Sequence, residues 1–388
     1  MAPISQPDRY PWLDVLRGVS LFGVLIVNLE TLFRVSLFQH ILTFHTDPGW
    51  LNHLTGTSVA ALLEFKAFDL FSLCFGIGLA IQAERAERHS VNPTRFLMRR
   101  LLVLLALGLF HLVVIWNGDI LTLYAVCGLL ILPLLRLPPL WLTFCGAAAM
   151  ILTTVVPFGH WFPPGELLRA QAAAASVVYA NGNFLEILVF RLSETLYFIV
   201  PLLLATLPKV FGIMLLGAAA WKSGILRRPD THRRLLQGVA IAAGLIGATL
   251  TSLSLYPAAE AAIPRPIFQF GSDMPLALAY ASLVLLWLSA DRPPRLAAYF
   301  AATGQMALTN YVTQSIVLGL IFYGYGLGLF GRMGSARAML IGMALFVFQI
   351  IASQFWLRRY RFGPLEWLWR SLTYGQWQKL RRMNFSES

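Results

Sequence analysis

Residues 13–28, LDVLRGVSLFGVLIVN, decide the fold class of this chain. An acid and a base, Asp14 and Arg17, open an apolar run, and an amide, Asn28, lies near its far end. The run is long enough to cross a bilayer, which takes about 20 apolar residues. Charges and amides are costly in hydrocarbon, so such groups usually face the protein interior. The stretch therefore predicts a membrane helix that takes part in a polar site.

The composition extends this prediction to the whole chain. Of its 388 residues, 57% are hydrophobic and only 12% are charged, and the mean hydropathy is +0.67. Soluble domains average about 25% charged residues. We therefore expect an all-α, polytopic integral membrane bundle. The first apolar run has full membrane length and no cleavage site after it, so no signal peptide is expected. The three cysteines lie in apolar runs, which favours neither a disulfide framework nor a metal site.

The basic residues predict the orientation of the chain. The net charge is +12, but most lysines and arginines fall at helix ends and in short connections, as in the positive-inside pattern. This placement argues against nucleic-acid binding and puts both termini in the cytoplasm if there are ten spans. The predicted spans are 13–34, 65–83, 97–116, 119–135, 139–157, 186–222, 235–256, 274–290, 298–323 and 336–357.

Three regions follow from these spans: an N-terminal membrane half (1–157), an outer loop with an interfacial helix at 166–180 (158–185), and a C-terminal membrane domain (186–388). The 186–222 segment is too long for one straight helix and contains Pro201 and Pro208. We interpret it as one broken or re-entrant span.

The first outer loop places His40, His45 and Asp47 within eight residues. Histidine is the commonest general base, and an acidic neighbour could activate it to deprotonate a hydroxyl or an amine. A solvated polar loop is the alternative interpretation for each of these histidines.

Further polar groups lie inside the predicted spans. His111 precedes the predicted turn 117–119, and it could face Asp119, although Asp119 could also simply cap the next helix. Asp69 lies near the outer end of its span. The helix over 298–323 carries a polar stripe that lines a cavity or bonds neighbouring helices. The stripe comprises Gln305, Thr309, Asn310 and Gln314.

The motifs resemble those of the YeiB-like family of bacterial inner-membrane proteins. They are Leu13-Asp14-Val-Leu-Arg17-Gly18 with Asn28, residues 71–78, His111 with residues 116–121, residues 304–311, residues 323–331 and residues 362–370. The C-terminal half resembles a domain of unknown function, number 418. Family members are loosely described as transporters, and the family resembles the transmembrane acyltransferases that include the lysosomal heparan-glucosaminide acetyltransferase.

The resemblance implies an activity and roles for these residues. Acyl-CoA would enter from the cytoplasm, where Arg17, Arg99 and Arg100 would meet its phosphates. His40 or His45 would activate a small-molecule or glycan acceptor on the outer side, and Asn28 would hold the acyl carbonyl or orient the histidine. Apart from the resemblance, the polar positions inside the spans lead us to expect substrate contacts from Asp14, Arg17, Asp69, His111, Asp119 and the polar stripe.

The alternative is a transporter or exporter of a small organic solute. Asp14, Asp69, His111 and Asp119 would then bind the solute or couple its movement to protons. No metal is expected in either case, and the sequence allows a homodimer in the lipid bilayer.

Overall fold

The chain folds from helices throughout the part that the computed structural model describes, which is residues 9–42, 47–155, 164–254, 265–289 and 295–382. In this part the extended structure is limited to an isolated bridge between Tyr360 and Arg381. The helices are α1 (Pro11–Asn28), α2 (Leu37–Leu42), α3 (Trp50–Leu62), α4 (Lys66–Arg88), α5 (Pro93–Phe110), α6 (Leu121–Ile131), α7 (Pro139–Val155), α8 (Gly165–Asn181), α9 (Phe184–Glu194), α10 (Val200–Lys222), α11 (Arg233–Ser254), α12 (Arg265–Leu288), α13 (Arg295–Gln305), α14 (Ala307–Phe322), α15 (Ser335–Arg359) and α16 (Pro364–Tyr374).

Among the described residues, six helical segments are long and apolar enough to cross a membrane, which confirms the predicted all-α membrane class. They are Pro11–Phe33, Pro93–Ile115, Phe184–Lys222, Pro229–Ser254, Gly271–Leu288 and Ser335–Arg359. Three shorter helices are also apolar, namely Leu121–Ile131, Pro139–Thr153 and Ala307–Phe322. Ten crossings and cytoplasmic termini stay predictions.

The 186–222 segment is a continuous helix and not a broken one. Phe184–Lys222 runs for 39 residues through α9, a π-helical turn at Thr195–Ile199, and α10. At about 1.5 Å per residue it is longer than the bilayer core of about 30 Å. Pro201 lies just after the π turn and Pro208 lies inside α10. The helix thus changes its hydrogen-bond pattern where a break is predicted.

The predicted span 298–323 is divided into α13 and α14 by a turn at Met306. Close packing on α1 accompanies this turn. A Cβ atom on Gly304 would lie 1.8 Å from the carbonyl oxygen of Asp14, and one on Gly18 would lie 2.1 Å from that of Phe300. Small residues allow such backbone contact between membrane helices. The helix that carries Asp14 and Arg17 is therefore held against α13.

Two further features of the helices concern α8 and α4, and the interfacial position of α8 stays a prediction. Residues 166–180 are helical, within α8. Gly76 allows close packing of α4 on α10, because a Cβ atom there would lie 2.0 Å from the carbonyl oxygen of Met214. Helix α4 thereby brings its polar first turn against α10.

Candidate functional site

Polar side chains gather at the two ends of α1 and α5. We call the end with Arg9, Arg17, Arg100 and Arg370 the basic end, and the end with His40 and His111 the histidine end. Both α1 and α5 begin at the basic end and run to the histidine end, where each continues into a π-helical turn, Leu29–Phe33 and His111–Ile115. Turns of this kind are frequent at functional sites.

At the histidine end, His40 on α2 pairs with Glu64 in the α3–α4 connection. The Nε2 atom of His40 lies 2.9 Å from Oε1 of Glu64. The side chains are 17% and 13% exposed, so the pair is sheltered but within reach of solutes. A carboxylate hydrogen-bonded to an imidazole orients the ring, which is the role of the third group beside a general base.

Asp47, the acid that the sequence groups with these histidines, belongs to a different contact. Its carboxylate accepts a hydrogen bond of 2.7 Å from Nη1 of Arg34 and one of 3.0 Å from the backbone N–H of Ser335. Arg34 is buried and also makes a bidentate pair with Glu30, at 2.6 and 3.1 Å. This group, which we call the Arg34 clip, fastens the end of α1 to the start of α15.

The remaining predicted catalytic residues are Asn28 and His45. Asn28 is the last residue of α1 and is partly buried, directly before the π turn that leads to the Arg34 clip. His45 lies outside the described residues. The pairing of His40 with Glu64 therefore distinguishes His40 as the candidate base that the structure can describe.

His111 and Asp119 meet as predicted, and Ser315 of α14 joins them. Nδ1 of His111 lies 2.9 Å from Asp119, and Nε2 lies 3.0 Å from the Ser315 hydroxyl. Asp119 also accepts the backbone N–H groups of Leu121 and Thr122, so it caps α6 as well. The order hydroxyl, imidazole, carboxylate is that of a nucleophile with its base. All three residues are at most 3% exposed, so a solute cannot reach them without an opening of the bundle.

The polar stripe of α14 bonds to neighbouring helices. Asn310 donates to Ser353 at 3.0 Å, and Gln314 donates to Gln349 at 2.8 Å, both on α15. Thr309 donates to the carboxylate of Glu366 on α16 at 2.6 Å. Gln305 is partly buried at the end of α13. The stripe thus links α14 to α15 and α16. Of the two interpretations offered by the sequence, these contacts match hydrogen bonding between neighbouring helices.

At the basic end, the acid of the first helix is compensated by its own neighbours. Asp14 is buried, with Nε of Arg9 at 2.7 Å and Nη1 of Arg17 at 3.6 Å. The Arg17 side chain is 28% exposed, so one face of it remains in contact with the surroundings.

Helix α16 adds a cation and an aromatic ring to this end. The guanidinium of Arg100 lies 3.6 Å from the centre of the Trp369 ring, and the indole N–H of Trp369 donates to the Arg100 carbonyl at 2.9 Å. Burial, together with the charges of Arg9 and Arg17, lowers the pKa of Arg370. Arg99 is exposed and reaches the end of α16 at Gly375. The guanidinium groups of Arg9, Arg17, Arg100 and Arg370 therefore lie at this end, and Asp14 is paired with the first two of them.

Asp69 lies in a buried group of charges that the sequence analysis missed in part. Asp69 forms an ion pair with Lys209, and Lys209 also pairs with Asp273. Asp273 in turn pairs with Lys66. The signal was present, because Lys209 and Asp273 are charged residues inside apolar spans, where ionisable groups are expensive and often functional. Within the part of the chain that the structure describes, no group of three His, Cys, Asp or Glu side chains is placed to hold a metal ion.

Comparisons with known proteins identify relatives along nearly the full length. The chain is 34% identical to the uncharacterised protein YxaH of Bacillus subtilis, with 98% of each chain covered. It is 27% identical to an uncharacterised 39.9 kDa protein in the amylase 3' region of Bacillus acidopullulyticus, with 97% of each covered. It is 28% identical to the uncharacterised protein YeiB of Escherichia coli, over 94% of this chain and 96% of YeiB. Residues 220–376 match the family described as a protein of unknown function, DUF418. No solved structure matches the chain.

Proposed function

This chain belongs to the YeiB-like family of membrane proteins that carry the DUF418 domain, and from that premise we propose that it is a membrane acyltransferase. It takes an acyl group from acyl-CoA at the basic end and transfers it to a hydroxyl or amine at the histidine end. In this proposal the basic end faces the cytoplasm, both termini are cytoplasmic, and the membrane is the bacterial inner membrane.

One observation carries the proposal, the pairing of His40 with Glu64. Their atoms are 2.9 Å apart at a partly exposed position, whereas the His111 group is closed to solutes. A base must lie within hydrogen-bond reach of the proton it removes, so access favours His40 over His111. Asn28 lies at the same end of α1 and carries an amide that can donate to an acyl oxygen.

The reaction assigned to these groups is a simple acyl transfer. His40 removes the proton from the acceptor hydroxyl or amine as that group attacks the thioester carbonyl. The carbon–sulfur bond breaks after the new carbon–oxygen or carbon–nitrogen bond forms. The proton held by His40 then passes to the departing thiolate, so that the products are the acylated acceptor and free CoA. Glu64 stabilises the imidazolium between these two steps.

The basic end carries the positive charges that would bind the phosphates of the acyl-CoA donor. The charges of Arg17 and Arg100 interact with that of Arg370 on α16, a residue that the sequence analysis does not assign to this site. Guanidinium groups bind phosphate through paired N–H donors. An anionic ligand would relieve the mutual repulsion of these cations. Residue 17 and residue 28 are separated by about 16 Å along α1, so the acyl group has to cross about half of the bilayer core.

The experiment that tests this function is donor consumption by the purified full-length protein in lipid nanodiscs. Radiolabelled acetyl-CoA and a panel of longer acyl-CoA donors are supplied with sugar and amine acceptors. We expect release of free CoA with label on one acceptor class. Absence of CoA release and of transfer across the whole panel would contradict the proposal.

Transport of a small organic solute is a second candidate, favoured by the buried charges around Asp69. Ionisable groups inside a membrane domain frequently lie on solute or proton paths. This candidate predicts solute uptake by reconstituted vesicles that contain no acyl donor, and dependence of that uptake on a proton gradient.

A further inference from the structure

Four charged side chains meet inside the bundle, where α4, α10 and α12 pack together. Lys66 and Asp69 come from α4, Lys209 from α10 and Asp273 from α12. The ion pairs are Lys66–Asp273 at 3.0 Å, Lys209–Asp69 at 3.1 Å and Lys209–Asp273 at 3.1 Å. All four side chains are at most 6% exposed. We call this group the charge quartet.

The quartet is electrically neutral when all its members are ionised, but its two acids are not equivalent. Asp273 contacts two lysines, Lys66 and Lys209, one at each carboxylate oxygen. Asp69 makes one ion pair among the described residues, through Oδ2, and its Oδ1 has no hydrogen-bond partner in that part of the chain. A buried oxygen without a partner costs free energy, and a bound proton reduces that cost.

The backbone is irregular beside the quartet on all three helices. Phe65, directly before Lys66, has a positive φ of 60°, which is uncommon for a bulky residue. Pro208 precedes Lys209 inside α10, and Pro275 follows Asp273 by two positions inside α12. Proline removes a helix hydrogen bond, so α10 and α12 can each bend next to their charged residue.

We infer that the charge quartet is a proton-binding site and that Asp69 is the group that takes up the proton. Protonation of Asp69 removes one of the two anions that hold Lys209 and leaves Asp273 bound to both lysines. The ion pair between α4 and α10 is thereby released, while the pairs of Asp273 with α4 and α10 persist. The inference does not depend on acyl transfer, and it holds equally for a transporter.

Other titratable groups lie near the quartet and bear on its protonation. Glu64 is two residues before Lys66 and pairs with His40. On α6, Tyr124 donates to the carbonyl of Phe68 at 3.2 Å and is affected by the charge of Asp69. The remaining ones are Tyr280 of α12, whose hydroxyl donates to Leu62, and Asp14 and Arg17 of α1, which act on Cys74 further along α4.

Infrared difference spectroscopy tests the inference, because a protonated carboxyl has a carbonyl band that a carboxylate lacks. The full-length protein in lipid is titrated from neutral to mildly acidic pH. We expect a carboxyl band to appear that is absent from D69N and that needs a lower pH in D273N, because the loss of Asp273 leaves both lysines to hold Asp69 ionised. Asp230 is exposed in a turn, and D230N is the matched control that should leave the band unchanged.

A folding defect can be separated from the loss of the site. D69N/K209M removes one acid and one base, so the quartet keeps its neutrality, and this variant should also lack the band while it remains monodisperse. A carboxyl band that is undiminished in both D69N and the double variant would overturn the inference, as would a wild-type protein without any such band.

Discussion

Glu64 and Lys66 flank Phe65 and point to different polar groups. Glu64 contacts His40 at 2.9 Å, and Lys66 contacts Asp273 at 3.0 Å. The candidate catalytic base and the charge quartet are therefore joined by three consecutive residues with a backbone of positive φ between them.

The first prediction concerns the base. H40Q keeps the size of the side chain but cannot accept a proton, so acyl transfer should fall by about 10²–10⁴-fold. E64Q removes the charge that compensates the imidazolium and should reduce the rate less than H40Q does. His53 is exposed on α3, and H53Q is the matched control that should retain full activity. Equal rates for H40Q and H53Q would exclude His40 as the base.

The second prediction concerns donor binding at the basic end. R100M and R370M should each raise KM for acyl-CoA by about 10-fold, which corresponds to about 1.4 kcal/mol, with little change in kcat. The reason is the loss of one phosphate contact that is made before the reaction as well as during it. Arg358 is exposed at the end of α15, and R358M should leave KM unchanged. A loss confined to kcat would contradict this role.

The third prediction concerns the Arg34 clip. R34M leaves the buried Glu30 and the partly buried Asp47 without their cation, so the free energy of unfolding should fall by about 3–5 kcal/mol. Thermal unfolding in detergent measures the loss. R169M removes an exposed arginine from α8 and should change stability little. An R34M variant as stable as R169M would show that the clip does not hold α1 to α15.

The fourth prediction concerns the contact between α1 and α13. G304A places a Cβ atom 1.8 Å from the Asp14 carbonyl, so the helices must separate and stability should fall by about 1–3 kcal/mol. Gly238 of α11 has no atom within 4 Å of such a Cβ. G238A should therefore be neutral or stabilising by up to about 1 kcal/mol. The same loss in both variants would contradict the packing argument.

The fifth prediction is a pH dependence at α16. Burial raises the pKa of Glu366 above its ordinary value of 4.5, so the folded state holds this proton more tightly than the unfolded state. The resulting stability is complete below pH 4.5 and is lost as the pH rises through the folded-state pKa. Thermal stability of the wild type should thus fall with pH in this window more steeply than that of E366Q. Glu166 is exposed, and E166Q should keep the wild-type slope.

Local patterns predicted the parts of the molecule that local sequence determines. The apolar run after Asp14 gave the first membrane helix, and the turn between His111 and Asp119 brought those two side chains together across only eight positions. Such contacts follow from helix geometry and a tight turn. Ser315, which completes that group, is 204 positions from His111 and was not among the residues selected from the sequence.

Contacts over long separations could not be read from the sequence. His40 and Asp47 are close in the chain, but each finds its partner elsewhere, in Glu64 and Arg34, because α3 brings the chain back to α2 and the Arg34 clip takes Asp47. Lys209 and Asp273 are 64 positions apart. The rule that intramembrane charges find partners predicts that each is paired, but not with which residue.

The most direct measurement of the central claim is the sidedness of acyl transfer. The protein is reconstituted into vesicles with its basic end facing outward, and radiolabelled acetyl-CoA is added outside. The vesicle interior contains the class of acceptor that the nanodisc experiment identifies. The account predicts labelled acceptor in the vesicle interior while all acyl-CoA remains outside, and no label with H40Q. Transfer that occurs only when donor and acceptor share one side of the membrane would contradict it.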